Sequence, residues 1–190
     1  MPIIIAGHAG AATGAMGVAL AQSVMFDEGM QTIRLRNAIA VRLAQFHQIR
    51  VVVDDDNERL AILCRRINRI ALSDPQLFCV DIHFNAHSSV SAHGTEVIVA
   101  DDASLFEVDL AVRLLNATAR ILETNRRGVR TESQTPRGHL AMLHLHCPSV
   151  ILEVCFCTNP SDVELYLSRF DTLAIALADA IAKTVVQRIG

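Results

Sequence analysis

No apolar run in this 190-residue chain approaches the roughly 20 residues a helix needs to cross a bilayer, so the sequence holds no candidate span. The opening Met1-Pro2-Ile3-Ile4-Ile5 is apolar, but it has no basic start and runs straight into Gly7-His8, too short for a signal-peptide core. The expectation is synthesis in the cytoplasm without a visible signal peptide. Charge of one sign is also missing: 17 Lys and Arg stand against 20 Asp and Glu, a net −3. No basic patch dominates, which disfavours a nucleic-acid partner. No repeat, linker or low-complexity stretch interrupts the chain. A disulfide framework is lacking too, since the five cysteines are odd in number and have apolar neighbours. Cys155 and Cys157 stand two apart in a strand-like run and share a face. They either pack as small buried hydrophobes or bind a metal as a pair that lacks a second pair.

What is present is apolar: 51% hydrophobic residues and a mean hydropathy of +0.33, which excludes disorder. The length suits one sizeable domain over residues 1–190. Strand-like and helix-like segments alternate. Pro2 to Ala6, Ile49 to Val53, Leu77 to Phe84, Thr95 to Ala100 and Val150 to Cys157 read as strands. Thr32 to Phe46, Asn57 to Leu72, Ser104 to Asn125 and Asp171 to Arg188 read as helices. A short helix at Ser161 to Tyr166 reads as capped by Ser161 with Glu164 in the capping box. Residues 7–30 and 126–148 read as loops, and Asp54-Asp55-Asp56 as a solvated turn or helix start. Strands separated by helices of this length predict an open, largely parallel (mixed) α/β sheet with helices on both faces. Ligands in such folds sit beyond the carboxyl ends of the strands. That rule points to His8, to His83 and its following loop, and to Glu153.

His83, in Val80-Asp81-Ile82-His83-Phe84-Asn85-Ala86-His87, ends an apolar strand, where a polar ring needs a metal or a carboxylate beside it. Glu153 lies inside Val150-Ile151-Leu152-Glu153-Val154. A buried carboxylate is paired with an arginine or linked to a metal. His8 lies between Gly7 and Ala9-Gly10, where backbone can pass close to a ligand. It is either a ligand or base, or a loop histidine bonded to backbone. Glu28 opens the first helix, a position the helix dipole favours for any carboxylate, and Asp27 is its rival. Zinc takes mixed nitrogen and oxygen ligands, three from the protein with one position open in catalytic sites. A His–Glu–His set with a second carboxylate nearby supplies the parts of metal-assisted hydrolysis.

These residues carry a resemblance. The chain resembles the zinc-dependent N-acetylmuramoyl-L-alanine amidases of the family often called amidase 3. Those enzymes hydrolyse the amide between muramic acid and the first alanine of the peptidoglycan stem peptide. Ile3-Ile4-Ile5-Ala6-Gly7-His8-Ala9-Gly10 and Thr13-Gly14-Ala15 resemble the family's opening strand and glycine–histidine motif. Glu28, with Ile33 and Leu35 on the next helix, resembles the second ligand and its helix. Val80 to Ala86 resembles the third-ligand strand. Gly94-Thr95-Glu96, Arg127-Gly128-Val129 and Val150 to Asn159 resemble the motifs that follow, the last carrying the catalytic glutamate. Ala6 and Ala9 depart from the usual opening motif, from which altered loop geometry is expected.

The resemblance implies one zinc ion per chain on His8, Glu28 and His83, with Glu153 as the catalytic base. It implies a peptidoglycan substrate, a phage-lysin-like catalytic domain that acts on the cell wall after release or lysis, and the expectation of a monomer. Asn85, His87, Arg127 and Arg137 are candidate substrate contacts. His87, together with His93, either lines the groove or is an ordinary solvated histidine. Arg127 and Arg137 either meet stem-peptide carboxylates or are solvated. Glu96 either orients a ligand histidine from behind or pairs with an arginine. His144 and His146, two apart, form a candidate second metal site on one strand face. Two other functions fit the same residues: a zinc carboxypeptidase or amidohydrolase acting on another acyl-amino acid, and a non-catalytic wall-binding domain of the same fold. Digestion products separate the first from the amidase, and metal content separates the second.

Overall fold

Alternation of side chains along the buried strands decides this architecture. The computed structural model describes residues 1–9, 14–19, 24–56 and 58–189; Gly10 and Thr13 of the opening motif, and Asn57, lie outside them. Strands β1 (Pro2–Ala6), β4 (Val52–Val53), β5 (Phe78–Asn85), β6 (Thr95–Val99), β7 (Arg126–Thr131) and β8 (Ser149–Phe156) form one sheet in the order β4-β1-β5-β8-β6-β7. Neighbours run parallel except β6 and β8, which are antiparallel. A separate antiparallel hairpin pairs β2 (Met16–Ala19) with β3 (Val24–Asp27).

One sheet face presents Ile4, Val80, Ile82, Val97, Val150 and Leu152 to helices α1 (Glu28–Phe46), α3 (Leu105–Leu122) and α5 (Phe170–Ile189). Their inward residues, among them Leu35, Ile39, Leu114 and Leu177, make the larger core. The other face presents Ile3, Ile5, Cys79, Ile98 and Ile151 to α2 (Leu60–Ala71), through Leu63 and Ile67, and to a short 3-10 turn at Ala141–Leu143. Helices therefore cover both faces, as the alternation of elements predicts. No described helix is long and apolar enough to cross a membrane.

Several boundaries differ from the sequence reading. The Gly/Ala segment before α1 contains the β2–β3 hairpin, and the polar segment after α3 begins with β7, an edge strand too charged to show a strand pattern. The helix α1 starts at Glu28, before Thr32, because the Asp27 side chain caps it by accepting the Met30 N–H at 2.9 Å. Helix α4 (Pro160–Ser168) is capped by Asn159, not Ser161. Proline suits the first helical turn, and Asn159 Oδ1 accepts the Asp162 N–H at 3.0 Å. The acidic triplet is not simply solvated: Asp54 is buried and pairs with Arg36 of α1 at 2.7 Å, with Asp56 also 2.7 Å from the same nitrogen. The two cysteines of the last strand region, Cys155 and Cys157, are both buried in the larger core. Burial pushes the Cys157 thiol up to about 12, so it packs as a neutral group.

Candidate active site

The face toward α2 carries a polar row where β5 and β8 end. Asp81, His83 and Asn85 alternate with the core residues Ile82 and Phe84 on β5. Across the ladder His83 stands opposite Glu153, and Glu153 stands opposite Glu96 on the antiparallel side. Three adjacent strands thus place an imidazole and two carboxylates in one line. Strand β1 ends one strand away, with Ala6 opposite Ile82, and the turn that follows brings His8 over the row.

That turn is held from three sides. The Gly7 N–H donates to the Ile82 carbonyl at 2.8 Å, the Thr32 hydroxyl donates to the Gly7 carbonyl at 2.7 Å, and Asp54 Oδ1 accepts the Ala6 N–H at 3.1 Å. Gly7 is needed for contact: a Cβ there would overlap the His83 ring. His8 itself sits in the left-handed region at φ 59°, an uncommon conformation for a residue with a side chain.

The cluster is compact. Glu28 Oε1 lies 3.3 Å from His83 Nδ1 and 3.9 Å from His8 Nε2, and the two rings meet edge to face at 5.1 Å. Ligand atoms of all three residues fall within 4.8 Å of one another. Ligands about 2.1 Å from a tetrahedral zinc stand about 3.4 Å apart, so the cluster has the size of a metal site. Backbone orients Glu28: Oε2 accepts the Ala15 N–H at 2.7 Å and Oε1 accepts the Phe84 N–H at 3.1 Å. Asp27 is engaged as the α1 cap and leaves the site to Glu28.

Electrostatics follow from burial and proximity. Burial disfavours charge on His83, but Asp81 and Glu28 outweigh it and hold its pKa well above the usual imidazole range. Burial opposes charge on Glu28 as well, yet hydrogen bonds from His83, Ala15 and Phe84 keep its carboxyl below the ordinary value. For His8, burial prevails over Glu28, with His83 and Arg137 acting in the same direction, and lowers its pKa. Burial lifts Glu153 to about 7, against His83 and with help from Glu28, Glu96 and Asp81. Its Oε2 is shielded from solvent and has no hydrogen-bond partner among the described residues. Such an atom is costly unless a ligand meets it.

A groove of about 400 Å³ opens over the row, lined by His8, Glu28, His83, Asn85, Glu96 and Glu153. Arg130, Thr135, Pro136, Arg137 and Leu140 form its other wall. A second hollow of about 300 Å³ continues past His8 toward Asp54, Glu58 and Met142. Of the four expected substrate contacts, Asn85 and Arg137 line the groove. Asn85 donates to Glu96 Oε1 at 2.7 Å. His87 and Arg127 do not line it: His87 Nδ1 accepts the Ser89 N–H at 3.0 Å, and Arg127 Nε donates to Glu96 Oε2 at 2.9 Å over the Phe156 ring. His93 is exposed. Glu96 is thus the arginine-paired carboxylate, with Arg130 a further 3.5 Å away. The carboxylate behind a candidate ligand is Asp81, whose Oδ2 lies 3.1 Å from His83 Nε2. The sequence reading overlooked Asp81, although its signal resembled that of Glu153: a carboxylate within an apolar strand, two residues from His83 and on the same face. Arg130, an overlooked charged residue of the groove, belongs to the unforeseen strand β7.

Comparison with known proteins bears on the family and the fold. The N-acetylmuramoyl-L-alanine amidase family, amidase 3, matches residues 3–184. No curated protein sequence matches. Among solved structures, an N-acetylmuramoyl-L-alanine amidase from Clostridium difficile 630 superposes with a TM-score of 0.74 at 19% identity, covering 99% of this chain and 95% of the other. The amidase AmiC2 of Nostoc punctiforme gives 0.72 at 22%, covering 99% and 96%. The catalytic domain of the CD27L endolysin, which targets Clostridia difficile, gives 0.66 at 18%, covering 98% and 96%. With the family motif spanning nearly its whole length and the amidase fold beneath it, this chain belongs to the N-acetylmuramoyl-L-alanine amidase family of enzymes.

Proposed function

We propose that residues 1–190 form a single catalytic unit that hydrolyses the amide between the lactyl group of muramic acid and L-alanine in peptidoglycan, with one zinc ion on His8, Glu28 and His83. The observation that carries the reading is the meeting of these three residues within 4.8 Å, beside a Glu153 whose buried Oε2 lacks a hydrogen-bond partner among the described residues. The donor set is the mixed nitrogen and oxygen type that zinc takes in catalytic sites. Asp81 supports it, since a ligand histidine ordinarily gives its second nitrogen to a carboxylate.

Bound zinc supplies a Lewis acid that polarises the scissile carbonyl and acidifies water. The protein does the rest. Glu153 takes a proton from the attacking water as its oxygen bonds to the carbonyl carbon. It then delivers that proton to the amide nitrogen as the C–N bond breaks, so the alanine leaves as an amine and the lactyl group as a carboxylic acid, whose remaining water-derived proton passes to the amine to give carboxylate and ammonium. Burial raises the affinity of the Glu153 carboxylate for a proton, which favours its taking one from the water. Arg137, in the wall facing His8, gives the groove a cation for a stem-peptide carboxylate. The matrix outside the membrane is where this substrate lies, and the enzyme works there as a monomer.

The test is Glu153→Gln on purified peptidoglycan. The variant keeps its zinc by elemental analysis and loses turnover by about 10²- to 10⁴-fold, the range for a lost acid–base group. Mass spectrometry of the parent digest shows free lactyl carboxyls on the glycan. Parental turnover by Glu153→Gln, or cleavage at another bond, overturns the assignment.

A further inference from the structure

The second group of metal-type ligands lies in the wall of the groove. Sequence spacing alone pairs His144 with His146 on a strand face. In the structure neither is in a strand: His144 ends the 3-10 turn Ala141–Leu143, and the His146 backbone N–H donates to Asn68 Oδ1 at 2.7 Å. His144 turns instead toward Glu132, with its Nε2 2.7 Å from Oε1. His139 approaches the same carboxylate, its Nδ1 3.7 Å from Oε2, and the two imidazoles stack at 4.3 Å and 23°. Ligand atoms of Glu132, His139 and His144 all lie within 4.8 Å of one another, as at the catalytic cluster.

Glu132 is 4% exposed, and it organises the segment around itself. Its Oε2 accepts the Leu140 N–H at 2.8 Å, and its backbone carbonyl accepts the Thr135 hydroxyl at 2.7 Å. The histidines lie at the surface, so the group is open to ions from solution on one side and backed by protein on the other. Two imidazoles and one carboxylate form a borderline nitrogen and oxygen donor set, suited to zinc and its neighbours among the divalent transition metals and not to calcium or magnesium.

We propose that Glu132, His139 and His144 form a second, exchangeable site for a divalent transition metal of the zinc class. The site joins the end of β7 to the approach of β8. Between its outer ligands lie Thr135, Pro136, Arg137 and Leu140, the residues that wall the groove opposite His8 and Glu153. Occupancy therefore pins the wall that carries Arg137 more firmly than its protein contacts do, which include Glu132 to Leu140 and Ser133 to Asp101. The site binds more weakly than the catalytic cluster, because among the described residues no second carboxylate bonds its imidazoles as Asp81 does His83.

Zinc titration of the metal-stripped full chain by calorimetry and equilibrium dialysis tests this. The parent takes up two equivalents, the second more weakly. His139→Ala with His144→Ala takes up one, with an unchanged circular dichroism spectrum. His8→Ala with His83→Ala also takes up one, so this site is counted whether or not the catalytic assignment holds. In that second variant, zinc slows amide exchange across residues 132–144 several-fold. A parent that saturates with one equivalent, a His139/His144 variant that still takes up two, or exchange in 132–144 unmoved by zinc overturns the proposal.

Discussion

At the scale of single residues, this protein depends on what stands behind its candidate ligands. Asp81 fixes the ring of His83 from the side away from the cluster. Asp81→Asn keeps the fold and the hydrogen-bond length but removes the charge, and zinc affinity measured by competition with a chelator falls about 10- to 100-fold. Unchanged affinity would show that His83 is oriented by packing alone. Gly7 acts through space: a methyl group there occupies the place of the His83 ring. Gly7→Ala is expected to lose zinc while keeping a cooperative thermal transition, because the displaced ring can swing into the groove. Full zinc occupancy in that variant would contradict the close approach. The sequence made His83 and Glu153 legible because each is polar within an apolar strand. His8 was legible as a residue next to glycine after a strand, though not in its left-handed conformation. Glu96 was legible as a carboxylate on a strand but not in its partner, since which of two nearby carboxylates meets an imidazole depends on strand register. The His139–His144 pairing was hidden for a similar reason, since loop residues obey no period.

At the scale of elements, the site hangs on the junction of α1, β1 and β4. Arg36 on α1 and Asp54 after β4 form a buried pair, and Asp54 also receives the Ala6 N–H just before the turn that carries His8. Burial raises the Asp54 carboxyl despite the arginine, so the pair exists only because both partners are present. Asp54→Ala leaves Arg36 with one carboxylate, the more exposed Asp56, beside Asn37 Oδ1, and frees the end of β1. The expected cost is about 3 kcal/mol in denaturant unfolding, with a matching loss of zinc affinity as the His8 turn loosens. A loss below 1 kcal/mol would mean that Asp56 replaces it. A second junction works the same way without a cation: Asp162 of α4 accepts the Gly94 N–H before β6 and the Phe156 N–H at the end of β8, both at 2.9 Å. The long apolar strands and helices were readable from periodicity. The hairpin and β7 were not: the hairpin's strands are only four residues each within a Gly/Ala-rich segment, and β7 is an edge strand dominated by arginine, stabilised by the sheet it joins. The acidic triplet misled for a related reason: a run of like charges reads as solvated until a cation arrives from another element.

At the scale of the whole molecule, the polar row couples stability to pH. In the metal-stripped chain burial holds Glu153 at about 7, against 4.5 for an unperturbed glutamate. Between those values the folded chain keeps a proton that the unfolded chain has released. Stability from this group is therefore full below 4.5 and lost as pH rises through about 7. The loss is about 3 kcal/mol at roughly 1.4 kcal/mol per unit. Glu153→Gln, which cannot ionise, removes that decline, so urea unfolding of the stripped variant shows a flatter pH profile than the parent. Parallel profiles would mean that Glu153 titrates normally. The row has a consequence for folding as well. His83, Glu153 and Glu96 occupy one rung of three strands, and their neighbours along each strand, Ile82, Leu152 and Val97, point into the larger core. A slip of one residue in any strand would exchange the two sets, sending an ionisable group in among leucines and an aliphatic side chain out into the groove. Misregistered sheets are thus penalised by the very residues that line the candidate site. The candidate site also serves as a proofreading mark, one that only the correctly threaded chain can satisfy.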